Sequence, residues 1–435
     1  MYKENGLDYE DPFAPEGEGD VNYRTLEWWQ ASMIMIAETI SLGILSLPSV
    51  LATIGMVPGV ILIVGLGILA TYTGLLIGQF KIRYPGVHSM ADAGEVLFQP
   101  LGMGRFGKEL FGAAQTLYLI FSMASHLLTW TICLNTITNS ATCTIVWSVV
   151  GLVVFWLFDL PRTLKKMSWL SIASFISIFV SVLMTMIDVG IEKPGKHTMK
   201  AVEHPTFQQA FNSVSNIVFA YAGHACYFGF MSEMKTPTDW PKAVTLLQTC
   251  EIALYVIASV VIYRFGGSEV KSPAIGSAGP MVMKVAWGLA IPTIVIAGVI
   301  YGHVAAKYIY VRIFRGTRHM TKRSALATGS WVGITLCSWV IAFVIAESIP
   351  QFNDLLALIS ALSVSWFSYG VAGIFWLFLN KGKWFSSIRN IFMFISSIFV
   401  IGIAFAICGI GLYTSGYSIH NASSNDAWVC KSNAQ

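Results

Sequence analysis

Glu38 stands inside an apolar run, in the string Glu38-Thr39-Ile40-Ser41-Leu42-Gly43-Ile44-Leu45-Ser46-Leu47-Pro48. An ionisable side chain at mid-membrane is costly and marks a functional candidate. The chemistry a lone carboxyl group offers there is proton exchange; the alternative is a carboxylate that snorkels or hydrogen-bonds near a half-helix end. A second string, Phe219-Ala220-Tyr221-Ala222-Gly223-His224-Ala225, sets small and polar residues and a histidine inside another apolar run. Histidine titrates near neutral pH and carries protons, yet a buried histidine also serves as a neutral core residue. Both readings stand for His224, as for His126 and His303. Glu233 and Lys235 follow closely and read either as an inner gate pair or as a solvated charge pair. Lys307 reads as a snorkelling lysine.

Other chemistries lack their residues. There is no HExxH zinc motif, no GxSxG elbow, no phosphate-binding loop and no dinucleotide fingerprint. The expectation is therefore no enzyme, no catalytic residue and no ATP-driven pumping by this chain alone. The seven cysteines form no CxxC or other metal spacing, so no metal and no cofactor is expected. Most of them fall in apolar runs, where a free thiol behaves as a small hydrophobe. A net charge of +4 without a long basic run excludes nucleic acid as a partner.

The elements that must position these residues follow from composition. The 435 residues are 55% hydrophobic and 11% charged, with a mean hydropathy of +0.65. Soluble domains carry about 25% charged residues, so the fitting solvent is lipid. Eleven apolar segments are predicted, at 30–52, 57–80, 110–138, 143–160, 168–188, 208–233, 243–264, 284–310, 325–346, 352–379 and 388–413. Lipid leaves no partner for backbone amides and carbonyls, so each segment should be helical. Residues 1–29 read as an acidic, disordered cytoplasmic tail and 414–435 as an extracytoplasmic tail. With the N-terminus inside, 20 of the 27 Lys and Arg residues fall on inner segments, as the positive-inside bias requires. Asn421-Ala422-Ser423 is a glycosylation sequon on the tail placed outside.

The strings at 38–48 and 219–225 lie five segments apart. Interrupted helices at corresponding places in two halves point to an inverted-repeat transporter and its site; glycine and proline are also simply frequent in membrane helices. A channel would not account for the matched pair and would need a filter or acidic ring.

Three strings carry a resemblance: ETISLGILSLPSVLATIGMVPG at 38–59, FAYAGHACYFGFMSEMKTPTDWPKA at 219–243 and VAAKYIYVRIFRGTRHMTK at 304–322. They resemble the amino acid/auxin permease family, and within it the fungal neutral amino acid permeases of the Mtr type, over about residues 22–413. The resemblance implies an all-α, LeuT-like fold with 5+5 inverted repeats, spans 1–5 in 30–190 and spans 6–10 in 205–380. Helices 1 and 6 would be discontinuous, and an eleventh span would occupy 388–413. It also implies amino acid uptake driven by an ion gradient, for this branch usually protons. Sodium-coupled relatives of the fold often place an Asn in span 1; Ala37 and Glu38 stand there here, which favours protons over sodium.

An amino acid brings both a carboxylate and an ammonium into a dry site. Amides of an unwound Ser41, Leu42, Gly43 and Ile44 would receive the carboxylate, with Gly43 giving either close approach to the ligand or tight helix packing. Carbonyls at Thr39, Phe219 and Ala220 would take the ammonium. The substrate side chain would lie against Tyr221, Ala222 and Gly223, beside His224 and faces of spans 3 and 8. No fixed acid lines that part, which suits neutral amino acids. The plasma membrane is the expected address and import the expected direction; a vacuolar exporter and an amino acid sensor on the same fold are the alternatives. The oligomeric state is left open.

Overall fold

The computed structural model describes residues 24–162, 167–317, 319–320, 324–421 and 427–434. Most of the acidic tail expected at 1–29, and the last two residues of the Asn421 sequon, lie outside the described residues. Those described form helices and no strand; Leu26 and Met234 make a single parallel bridge.

The helices are α1 (Trp28–Ile54), α2 (Met56–Arg83), α3 (Met90–Phe98), α4 (Gly104–Thr138), α5 (Thr144–Phe158), α6 (Met167–Glu192), α7 (Phe207–Ala220) and α8 (Tyr227–Glu233). They continue with α9 (Trp240–Gly266), α10 (Pro280–Phe314), α11 (Ala325–Ser348), α12 (Phe352–Ile359), α13 (Val371–Leu379) and α14 (Ile388–Asn421). A wider π-helical stretch, Ser360–Gly370, joins α12 to α13 without a break. Among the described residues nine helices are long and apolar enough to cross a membrane, Phe352–Leu379 counting as one. The two other apolar segments are the 15-residue α5 and the interrupted run that contains α7 and α8.

Polarity marks the central helix. Lipid accepts an apolar helix face, so polar side chains in a span turn to the protein interior, and α1, with Glu38, Thr39, Ser41 and Ser46, is buried at every position from Ile34 to Pro48. It packs against α6, α7, α9 and α10. Peripheral α14 does the reverse: Ile388, Phe392, Phe399 and Phe405 are exposed, whereas Ser397, Ala404 and Gly411 face the protein. Small residues allow close helix approach where lipid gives no hydrophobic drive.

One expectation about span 1 is corrected. The discontinuous helix predicted over 38–48 is an unbroken α1. Two of its hydroxyls are satisfied within the helix: Thr39 Oγ1 donates to Met35 O (2.9 Å) and Ser46 Oγ to Gly43 O (2.9 Å). Pro48 withdraws one amide from the ladder, and the helix runs on for another turn and a half. The break comes instead at Gly55, where φ is +93° and a Cβ would stand 2.6 Å from Val202 Cα. Only glycine fits that corner.

The ends of the helices gather on two faces. One carries Glu27 paired with Lys235, Lys108 with Glu95, and Arg315 with Asp92. The other carries the α4–α5 corner, Lys200 beside Met56, and the C-terminal residues. There the structure corrects the cysteine reading: Cys143 and Cys430 form a disulfide. Nearby, Asn433 reaches Asn135 (2.7 Å) and Thr131 (3.0 Å) of α4.

Candidate functional site

Between α7 and α8 the chain leaves the helix at Tyr221, Ala222 and Gly223 before a 3-10 turn over His224–Cys226. The sixth segment is therefore interrupted where the sequence places the break. Carbonyls released inside an apolar core must find donors, and tyrosines from three other helices supply them. Tyr255 of α9 donates from its hydroxyl to Ala220 O at 2.8 Å and lies 3.1 Å from Thr39 O. Tyr118 of α4 and Tyr301 of α10 both reach Ala222 O, at 3.0 and 3.3 Å. Phe219 O accepts from Ala222 N (2.9 Å), and Gln115 Nε2 donates to Ala225 O (3.2 Å). The carbonyls expected to take a substrate ammonium, at Thr39, Phe219 and Ala220, are thus held by protein donors in this conformation.

Two helices meet closely here. A Cβ on Gly43 would lie 2.8 Å from Ala220 Cα, and one on Gly223 would lie 2.9 Å from Thr39 Cγ2. The structure therefore brings Thr39 and Gly43 of α1 against Ala220 and Gly223. Ser41, Leu42 and Ile44 are buried within continuous α1, so their amides belong to the helical ladder. The anion site expected from an unwound helix end is absent from this conformation. Gly43 packs against Ala220 in this conformation.

His224 faces α2. Its Nε2 is 3.0 Å from Ala70 O and 3.2 Å from Thr73 Oγ1. Thr73 Oγ1 also approaches Leu69 O and Ala70 O, so the carbonyl contact assigns the proton to Nε2; Nδ1 is buried without a hydrogen-bond partner. Tyr221 turns its hydroxyl to Ile63 O (2.9 Å). His126 of α4 reaches Ile294 O (3.1 Å), and His303 of α10 sits 3.9 Å from Asp159.

Glu38 is 2% exposed and neither carboxyl oxygen has a hydrogen-bond partner. It faces the Cys226 thiol and the Tyr301 phenol. Cys226 also lines a cavity of about 130 Å³, bounded by Gln115, Ala225, Phe230, Glu233 and Lys307. That cavity runs from the break to the face bearing Asp92, Lys108 and Arg315. A second cavity, of about 170 Å³, lies beside Thr131, Thr144 and the C-terminal residues and shares no lining residue with the first.

The gate expectation is corrected in its partners. Glu233 pairs with Lys307 of α10, and Lys235 pairs with Glu27 at 2.7 Å. The backbone separates the two: Glu233 is the last residue of α8, whereas Lys235 follows extended Met234, outside the helix, where its amide donates to Leu26 O. Glu233 turns into the cavity and Lys235 out to the half-exposed Glu27.

Sequence reasoning missed Glu251 of α9, which is fully buried and also lacks a partner on either oxygen. The signal was present: it is the sole acid in the apolar segment 243–264, and the rule that selected Glu38 selects it equally. The three capping tyrosines gave no comparable signal, since aromatic residues are abundant throughout.

A core helix against a tyrosine-capped break, with a chamber leading to one face, is a fitting architecture for a membrane carrier. Residues 24–415 match the family described as transmembrane amino acid transporter protein. The chain belongs to that family. It is 37% identical over 408 residues to the N amino acid transport system protein of Neurospora crassa, covering 92% of this chain and 86% of that protein. It is 31% identical over 372 residues to a transmembrane transporter of Gibberella moniliformis, covering 83% and 77%. It is 26% identical over 349 residues to amino acid transporter AVT1H of Arabidopsis thaliana, covering 75% and 76%. This amino acid transporter family accounts for an integral membrane protein with a small-molecule cargo.

Proposed function

We propose that this transporter imports neutral aliphatic and aromatic amino acids by proton symport, through alternating access around the break between α7 and α8. The observation that carries the reading is Glu38: a buried carboxyl group without counter-ion, one residue from Thr39 at the break, and in contact with Cys226 at the end of the chamber. An unpaired charge in such surroundings is costly, so a carboxyl that takes part in the cycle exchanges a proton as it does so. No metal or organic cofactor has a role in this reading; the proton gradient is the driving force, with sodium the less favoured ion.

Eleven crossings in a LeuT-like 5+5 arrangement plus one helix suit the alternation of helix ends between the two faces. Orientation follows from chemistry. The chamber opens on the face with Lys108, Lys235, Lys242 and Arg315, the cytoplasmic side under the positive-inside bias. The Cys143–Cys430 disulfide occupies the other face, and disulfides persist in oxidising compartments. A plasma-membrane importer with its C-terminus outside satisfies both.

The test is uptake of labelled leucine and phenylalanine into proteoliposomes under an imposed pH gradient, with and without sodium. Accumulation above equilibrium that requires the pH gradient, needs no sodium and disappears in Glu38→Gln is expected. Sodium dependence overturns proton coupling. Binding without flux favours the sensor, and export alone favours the vacuolar alternative.

A further inference from the structure

The second cavity lies away from the break: none of its lining residues belongs to α1, α7, α8 or α10. Its walls are the ends of α4, α5 and α11, the turn into α12, and the C-terminal segment. One water needs about 10–15 Å³ of such space, so a cavity of about 170 Å³ has room for a small organic molecule.

The C-terminal segment is built into this wall. The Cys143–Cys430 disulfide ties it to the start of α5. Thr144 Oγ1 donates to Lys431 O (2.8 Å), Asn433 Nδ2 donates to Thr131 Oγ1 (3.0 Å), and Asn135 Nδ2 donates to Asn433 Oδ1 (2.7 Å). On the α11 side, Trp428 N donates to Glu347 O (3.4 Å) and Trp428 Nε1 to Ser348 Oγ (3.2 Å). These contacts fix Val429, Lys431 and Asn433 against the cavity, and they use the Thr131 and Thr144 hydroxyls within the protein.

Charge sets two other lining residues apart. Glu347, near the end of α11, is 7% exposed. Its polar neighbour is the Ser148 hydroxyl of α5, and among the described residues no cation forms an ion pair with it. A buried carboxylate without a counter-charge costs several kcal/mol, which a cationic ligand group would offset. Lys431 brings a positive charge to the same cavity from the C-terminal segment, and Gln351, just before α12, adds an amide. Leu128, Ala346, Pro350 and Val429 supply apolar wall. Few polar groups placed in an apolar lining fix a ligand's orientation. A simple cation would answer Glu347 and meet Lys431 unfavourably; a simple anion would do the reverse. A molecule that carries an ammonium, a carboxylate and a short apolar side chain answers all three features.

We propose that this cavity is a second amino acid-binding site, in which Glu347 receives the ammonium group and Lys431 and Gln351 receive the carboxylate. Under the orientation given above it samples the external medium. The choice of a neutral amino acid rests on the transport reading above; the site is independent of the coupling ion.

The test uses a leucine analogue with a photoreactive diazirine in its side chain. It is added to the full-length protein in proteoliposomes, irradiated, and located by peptide mass spectrometry. Labelling within 346–351 or 429–433 that excess leucine suppresses is expected, and Glu347→Gln should lower it about tenfold or more, as loss of one partner of a buried charge pair does. On the parent protein N-acetylleucine, which lacks the ammonium, and leucine amide, which lacks the carboxylate, should each compete about tenfold or more weakly than leucine. No labelling in these two stretches, unchanged labelling in Glu347→Gln, or competition by either derivative equal to that of leucine overturns the proposal. Labelling confined to the break between α7 and α8 also overturns it and leaves amino acid transport standing. Leucine-suppressible labelling here in a protein that accumulates no leucine under any ion gradient supports the site and overturns the transport reading. Should Glu347→Gln not purify as a folded species, competition on the parent protein decides.

Discussion

Gly43→Ala puts a single methyl group into the closest helix contact at the site. In the parent protein that Cβ position lies 2.8 Å from Ala220 Cα, 3.0 Å from Ala220 Cβ and 3.0 Å from the Tyr255 hydroxyl. Non-bonded atoms prefer separations of about 3.5–4.0 Å, so α1 and α7 must part by roughly 0.5–1 Å. Two of the three obstructing atoms belong to Ala220, which has no flexible side chain to move aside. Overpacking of this kind costs about 1–3 kcal/mol. Tyr255 adds to it: the hydroxyl bridges Thr39 O at 3.1 Å and Ala220 O at 2.8 Å, and the separation forfeits one of the two, worth about 0.5–1.5 kcal/mol. If the strain is confined to this conformation, its population falls about 5- to 150-fold. The expected result is a lowered melting temperature by fluorescence-detected size exclusion, with a matching fall in uptake. Gly65→Ala on α2 is the control, since nothing lies within 4 Å of its Cβ position; it should change uptake by less than twofold. Parent-like stability and uptake in Gly43→Ala would refute the packing argument. Parent-like stability with a large loss of substrate affinity alone would return Gly43 to a direct substrate contact.

Two further outcomes follow from charge and covalent connectivity. Glu233 and Lys307 are 2% and 15% exposed at their side chains, so Lys307→Met removes the cation beside a buried acid and should cost about 3–5 kcal/mol. Folded yield in detergent should collapse in that variant and recover in Glu233→Gln/Lys307→Met, whereas Lys235→Ala, which breaks an exposed pair worth about 0–1 kcal/mol, should leave yield unchanged; no recovery in the double variant refutes the pairing. Cys143→Ala should free the exposed Cys430 for a membrane-impermeant maleimide applied to intact cells; labelling only after permeabilisation refutes the external C-terminus.

What the sequence disclosed and what it concealed divide along the range of the interactions involved. Each apolar segment coincides with helix, because backbone satisfaction in lipid is a local demand, and Glu38 stood out because one acid in an apolar run is visible without a partner. Glu251 was equally visible and went unread. The asymmetry between the two strings was not. Both mix small and hydroxyl-bearing residues with a glycine, yet α1 stays helical and the sixth segment opens. In α1 the hydroxyls of Thr39 and Ser46 return to carbonyls three or four residues back, a solution contained within the helix. At Ala220 and Ala222 the carbonyls are taken by Tyr255, Tyr118 and Tyr301, residues 35 to 104 positions away. A break is stable only where distant donors meet it, so its position follows from tertiary placement of three tyrosines rather than from the string that breaks. The same separation explains the exchanged gate: Glu233 finds Lys307 across 74 residues, while the neighbour two positions on points the other way. Under the alternating access proposed above, the unbroken α1 and the tyrosine-capped carbonyls are one of the two states the carrier visits. In that reading a substrate ammonium that takes one of these carbonyls replaces a buried hydroxyl donor, and the displaced hydroxyl must find another acceptor or cost about 1–3 kcal/mol.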